Sequence, residues 1–215
     1  MDKVSLLAEI GGTGFDASRM ASEVEGNPTL VTGLLSGLDR REPRVKYGCS
    51  KVLRVLAETH PEMLLPHWDS IAQFLDSDNS FVKWDAIRAV AGLAAVDPER
   101  RFDTIFRRYF RPVPGPVLIT AANTVGAAAR IAGARPDLAE RIATEVLKVE
   151  RGSYQTPECR NIAIGQAILS LDRFFPNLRR KRRVIEFVRR QLANPRPATR
   201  KKAERFLAKW ASGRR

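Results

Sequence analysis

Apolar residues recur along most of this chain at steps of three and four, the period of a helix buried along one face. The clearest instance runs from residue 79 to 99, where Val82, Ala86, Ala89, Val90, Leu93 and Ala94 fall on one side. Asp78, Asn79 and Ser80 stand at its start, and each is able to cap a helix. Asp97-Pro98-Glu99 closes it. Proline ends one helix and fits the first position of the next, where no N–H is needed. Glu99 suits the positive end of that new helix. The pattern therefore predicts a unit of helix, tight corner, helix.

The unit repeats. Thirty-seven residues apart, Val45-Lys46-Tyr47 matches Val82-Lys83-Trp84, Leu53 matches Val90, Ala57 matches Ala94, and His60-Pro61-Glu62 matches Asp97-Pro98-Glu99. The same corner returns at Asn27-Pro28-Thr29, Arg135-Pro136-Asp137 and Phe175-Pro176-Asn177. Prolines 28, 61, 98, 136 and 176 are thus 33, 37, 38 and 40 residues apart. A period of this size built from two helices predicts a helical solenoid, in which stacked pairs bury the faces that one pair leaves open. On the proline corners and on the Val45-Lys46 and Val82-Lys83 pairs, the chain resembles the HEAT-type and armadillo-like repeat proteins over roughly residues 28–210. That resemblance implies a scaffold for binding other macromolecules, with the second helix of each pair lining a concave side.

The expected fold is all-α: a right-handed superhelix of about five helix pairs, read as a single domain over residues 1–215. Residues 1–26 form an N-terminal cap of two short helices joined by Gly11-Gly12-Thr13-Gly14. Those glycines read as a turn, because no Gly-Lys-Ser/Thr follows and no strand precedes them. Repeats fill 27–172 and a basic repeat fills 173–215. The pairs are expected at 28–38 with 44–58, 62–75 with 80–95, 99–110 with 117–131, 137–149 with 157–171, and 177–192 with 198–211. Tyr47, Val82, Trp84, Val90, Leu93 and Phe206 are expected in the core.

Composition narrows the picture. With 215 residues, 44% of them hydrophobic, the chain is long enough for a continuous core. No run of about 18 apolar residues marks a membrane span. The opening MDKVSLLAEIGG lacks a signal-peptide layout. Cys49 and Cys159 fall in different repeats and read as free thiols of a cytoplasmic protein. No metal, cofactor or small-molecule substrate is expected. His60 and His67, the only histidines, are seven apart across two prolines, which is not the i, i+4 spacing of a helical metal pair.

Net charge is +13, and its placement is more informative than its size. Residues 173–215 hold sixteen Lys or Arg against Glu186 and Glu204 alone, while the remainder of the chain is close to neutral. The run Arg179-Arg180-Lys181-Arg182-Arg183 follows Pro176 and is expected to fill the first two turns of a helix. Cations there oppose the helix dipole. Three other corners place Glu62, Glu99 or Asp137 after their prolines, and this one has Asn177. A bound anion would supply the missing compensation. In the last helix Ala203, Phe206, Leu207 and Trp210 make an apolar stripe, with Arg200, Lys201, Lys202, Arg205 and Lys209 around it. These nine residues, Arg179–Arg183, Arg200, Lys201, Lys202 and Arg205, are the expected polyanion surface. A polar cap on the solenoid is the plainer explanation, yet a cap needs mixed charge for solubility.

A second candidate is a shallow basic groove on the second helices, with Lys46, Lys83, Trp84, Arg88 and Arg130, against the reading of an ordinary solvated face. Trp84, Asp85, Arg88 and Arg130 also resemble in type the residues of HEAT-like bacterial alkylpurine DNA glycosylases. Trp84 and Asp85 are adjacent, about 100° apart on a helix, so that family's spacing is not reproduced and no catalytic residue carries over. Trp84 is better read as repeating the role of Tyr47. The sequence points to a non-enzymatic scaffold whose macromolecular partner is a polyanion such as nucleic acid. A protein–protein adaptor, or a glycosylase-type repair enzyme, is the alternative.

Overall fold

Proline opens several of these helices, at Pro43, Pro157 and Pro197. The computed structural model describes residues 1–211, which form helices joined by turns, bends and irregular links, with no strand among the described residues. Arg214 and Arg215, included in the charge count, lie outside them. Twelve α-helices are described, in two compact units that divide at Thr104.

In the first unit, α1 (Lys3–Gly11) and α2 (Ala17–Gly26) form the short leading pair. Asp2 caps α1, accepting from Ser5 N–H at 2.8 Å, and Asp16 caps α2, accepting from Arg19 N–H at 2.7 Å. The first repeat is α3 (Val31–Gly37), entered through a 3-10 turn at Pro28–Leu30, and α4 (Pro43–Thr59). The second pairs a composite helix with α6 (Ser80–Val96). Its first half was expected to be continuous over 62–75, but Pro66 has no N–H to donate. The segment is 3-10 over Pro61–His67, α-helical only in α5 (Trp68–Ala72), and 3-10 again over Gln73–Asp76.

Asn79 caps α6, its side-chain oxygen accepting from Phe81 and Val82 N–H at 3.1 and 3.2 Å. α4 and α6 approach closely at Gly92, where a Cβ would stand 2.1 Å from the Ala57 carbonyl oxygen. Val82, Val90 and Leu93 are buried as expected.

The Pro98 corner departs from the pattern. The buried Asp97 carboxylate accepts from Glu99 N–H at 3.2 Å, Phe102 N–H at 3.3 Å and Arg101 Nε at 3.2 Å. Arg100 takes a left-handed φ of 57°. Wrapped on that carboxylate, the chain forms a longer turn, and α7 (Phe102–Phe110) starts three residues after Glu99 rather than at it.

The second unit begins within α7. It continues through α8 (Leu118–Ala134), then a 3-10 turn at Pro136–Leu138 into α9 (Ala139–Val146), then a 3-10 turn at Leu147–Arg151 and α10 (Pro157–Phe174). A 3-10 turn at Phe175–Asn177 precedes α11 (Lys181–Arg190), and α12 (Pro197–Trp210) closes the described chain. α10 packs between α8 and α12, closest to α12 at Gly165, where a Cβ would meet Thr199 Oγ1 at 2.8 Å. The loop after α7 is tied to the loop before α10: Ser153 N–H donates to the Pro114 carbonyl at 2.9 Å, and the Tyr154 hydroxyl donates to the Val113 carbonyl. Tyr109, Phe110, Phe174, Phe175 and Phe187 fill this core.

Candidate functional site

Helix α11 buries Val184, Phe187 and Val188 and turns its cations outward. Arg179, Arg180, Lys181, Arg182 and Arg183 are all exposed. The run does not fill two helical turns, because α11 starts at Lys181 and leaves Arg179 and Arg180 ahead of it. The expected missing anion is present within the chain. Glu140 of α9 places Oε1 2.6 Å from Arg179 N and 2.9 Å from Arg180 N, accepting from both. A carboxylate on two N–H groups at a helix start also meets the positive end of the dipole. Within the first turns Arg182 pairs with Glu186 at 2.7 Å, which holds the guanidinium further toward its charged form and lowers the carboxyl.

The fourth helix pair supplies the remaining carboxylates that the last pair needs. Arg190 makes a two-point contact with Glu150 at 2.8 and 2.8 Å, and Gln191 Nε2 donates to the same carboxylate at 3.0 Å. Arg196 pairs with Glu158. Asp172 accepts from Lys209 Nζ at 3.0 Å and Trp210 Nε1 at 2.6 Å. Behind these pairs lies a buried polar set: Asn194 Nδ2 donates to Gln191 Oε1 at 3.0 Å and to Asn161 Oδ1 at 3.3 Å, and Thr199 Oγ1 donates to the Asn161 carbonyl at 2.9 Å. Satisfied buried polar groups of this kind fix one relative placement of two helices.

The cations expected on α12 divide. Lys201 and Arg205 are exposed. Arg200 is half-buried and donates to the Asn194 carbonyl at 2.8 Å and the Pro195 carbonyl at 3.1 Å, so it secures the α11–α12 loop. Lys202 is half-buried beside Gly165, and burial, then the charge of Arg196, lowers its pKa. Of the apolar stripe, Ala203 and Phe206 are buried while Leu207 and Trp210 are half-buried.

Between α11 and the end of α12 opens a cavity of about 640 Å³. Phe175, Leu178, Ile185 and Trp210 line it with apolar surface. Arg179, Arg180, Lys181, Arg182 and Arg189 line it with charge, and no carboxylate does so among the described residues. The Phe175 and Trp210 rings meet at 5.1 Å, and Lys181 Nζ lies 5.4 Å from the Phe175 ring. Sequence reasoning missed Ile185 and Arg189 as lining residues, and took Trp210 only as a docking residue. Its place at the end of the stripe was the available signal.

The groove candidates fall in both units. Lys46, Lys83, Trp84 and Arg88 belong to the first and Arg130 to the second. Lys46 and Lys83 are half-buried and Arg88 is exposed. Tyr47 and Trp84, expected in the core, are half-buried instead. Phe81 stands between them, with ring centroids 5.2 Å from each, and is itself 58% exposed. The aromatics form a surface row at the start of α6 rather than core packing, and Tyr47 Oη accepts from the Asn79 cap at 3.2 Å. Asp85 is engaged on both oxygens, accepting from Ser50 Oγ and from Arg54 Nε at 3.1 Å. His60 sits at its corner with Nε2 3.0 Å from Glu25. Among the described residues no three His, Cys, Asp or Glu gather as a metal site would require, and no helix is long and apolar enough to cross a membrane.

No family model matches the sequence, nor does any curated protein. Solved structures do match its fold. The designed armadillo repeat protein YIII(Dq)4CqI superposes with a TM-score of 0.58 at 16% identity, over 96% of this chain and 92% of that one. A second design, YIII(Dq.V1)4CPAF in complex with peptide (KR)4, superposes with a TM-score of 0.61 at 13% identity, over 96% of this chain and 90% of that one. At such identities the likeness shows the fold alone, and that fold is the armadillo/HEAT-like helical repeat.

Proposed function

We propose that this chain is a non-enzymatic helical-repeat scaffold, acting as one domain, that binds a polyanionic macromolecule, most simply nucleic acid, through its C-terminal helix pair. The observation that carries the reading is the partition of charge around α11. Arg190, Arg196 and Lys209 meet Glu150, Glu158 and Asp172 of the fourth pair, and Glu140 accepts the main-chain N–H of Arg180. Among the described residues no carboxylate lines the terminal cavity, and of its five cations Arg182 alone has its side chain in a described ion pair, with Glu186. A surface built only for solubility has no reason to sort its charges this way. Arg179, Arg180, Lys181, Arg182, Arg183, Lys201 and Arg205 would contact phosphates, with little dependence on sequence. Arg200 and Lys202 would support them from within the repeat.

A protein–protein adaptor for an acidic partner uses the same charge. The similar design in complex with peptide (KR)4 supports peptide binding by a fold of this kind, but its peptide is basic and so does not speak for an acidic partner. A glycosylase-type activity has less support, because Ser50 and Arg54 already occupy the Asp85 carboxylate.

Fluorescence anisotropy with duplex and single-stranded oligonucleotides across a salt series tests the proposal. Affinity should fall linearly on a log–log plot, by about 0.9 in slope per phosphate contact on duplex DNA. Replacing Arg179, Arg180, Arg182 and Arg183 by Gln should flatten the slope by about two to four units and weaken all sequences alike. The variant should fold, because Glu140 caps main-chain groups that the substitutions leave in place. Unchanged binding in the folded variant would move the site to Lys46, Lys83, Trp84 and Arg88 of the first unit, or to Arg130 of the second. Release of an alkylated base by the wild type would replace the scaffold with an enzyme.

A further inference from the structure

The terminal cavity has a second property that charge alone does not use. Its cations form a rim, while the half-buried Ile185 and Trp210 offer apolar surface beneath them. The Trp210 indole is held in place by its N–H bond to Asp172 at 2.6 Å and by the buried Phe175 ring 5.1 Å away. Duplex DNA presents phosphates on a convex rod and keeps its bases stacked inside, so it would touch the rim and leave the apolar wall unused. A single strand presents phosphates and unstacked bases together, and cationic grooves with aromatic walls take up both. About 640 Å³ gives room for an inserted base and its sugar.

Resting on the polyanion reading above, we infer that the preferred ligand is single-stranded nucleic acid. One of its bases enters the cavity against Ile185 and Trp210, while flanking phosphates pair with Arg179, Arg182 and Arg189. Charge complementarity selects the class: a rim of five cations, with no lining carboxylate among the described residues, favours an anionic ligand over a basic peptide. The apolar wall selects the single strand over the duplex.

The test compares three labelled probes of about twelve nucleotides, within the site sizes common for single-strand binders: oligo(dT), the same backbone without bases, and a duplex. Polyglutamate serves as competitor. Oligo(dT) should bind about tenfold more tightly than either other probe, as expected for one base contact. Trp210→Ala should remove that preference and leave duplex affinity unchanged. Because Trp210 also anchors the end of α12, Ile185→Gln provides a second variant that keeps the indole and its bond to Asp172. It should lower oligo(dT) binding several-fold and spare the duplex. Equal affinity for all three probes would overturn the inference while leaving the polyanion reading intact. Displacement of oligo(dT) by polyglutamate at equal charge would assign the cavity to an acidic protein and overturn both. Failure of every probe to bind at low salt would also remove both.

Discussion

The carboxylate of Glu140 accepts the main-chain N–H of Arg180, 40 residues further along, at 2.9 Å. It binds Arg179 N–H as well, and so caps a helix from a different repeat. A helix that opens on Lys181, Arg182 and Arg183 has no acid of its own in the first turn. Replacing Glu140 by Gln leaves an acceptor but removes the charge, and replacing it by Ala removes both. Glu140→Ala should cost about 1–2 kcal/mol, in the upper range for caps, and Glu140→Gln about half of that. Urea denaturation of both variants at low salt checks the order. Equal stability of both with the wild type would remove the capping role.

Four glycines separate packing from propensity. Gly92→Ala and Gly165→Ala each place a methyl against a neighbouring helix, 2.1 Å from the Ala57 carbonyl oxygen and 2.8 Å from Thr199 Oγ1. Each should destabilise by about 1–3 kcal/mol, Gly92 more because backbone yields less than a side chain. Gly126 and Gly133, within α8, have nothing within 4 Å of a built Cβ. Ala there should stabilise by about 0.5–1 kcal/mol. Thermal melts of the four single variants read out the opposite signs.

Burial pushes the Cys49 thiol from 9.0 up to about 12. The folded state therefore holds this proton after the unfolded chain has lost it. The associated stability is complete below pH 9 and drains away as pH rises toward 12, approaching about 1.4 kcal/mol per unit. Comparing wild type with Cys49→Ala between pH 8 and 10 isolates the effect: the wild type should lose stability faster. In the native protein a thiol reagent should label the half-buried Cys159 and spare the buried Cys49, with both labelled in denaturant.

Asp85→Asn should weaken the α4–α6 contact without abolishing any reaction. The carboxylate joins Ser50 and Arg54 of α4 to α6. Losing its charge should cost about 1 kcal/mol, discounted because the pair is partly exposed. Oligonucleotide affinity should stay the same. A base-release activity present in the wild type and lost in this variant would contradict this account of Asp85.

The helical period and the proline corners were legible because both are local: Pro28, Pro61 and Pro136 each stand where a missing N–H costs nothing. Pro98 was misread because the Asp97 side chain takes N–H groups from two positions beyond it, and spacing alone does not reveal that turn. Pro66 shows the reverse, an interruption visible in the sequence but outvoted by the apolar pattern around it. Tyr47 and Trp84 were correctly matched to each other and wrongly buried. Their equivalence says they share a place in the repeat, whereas burial depends on what lies over it, and Phe81, which stands between them, is itself exposed. The basic run was plain to see, but Glu140 was not, since nothing in a chain's order relates positions 39 and 40 residues apart in different helices.

Glu140, Glu150, Glu158 and Asp172 all belong to the segment before Phe174, and each meets a partner in the pair that follows. A chain cut after Phe174 would therefore expose Glu140, Glu150, Glu158 and Asp172 without these partners, together with the face of α10 that packs on α12. Such a stub is complementary to the very piece it lost. Supplied separately, the piece from residue 175 onward should rebind it, with an affinity that salt erodes. The last described helix pair is in this sense a detachable unit, its inner side addressed to one particular neighbour.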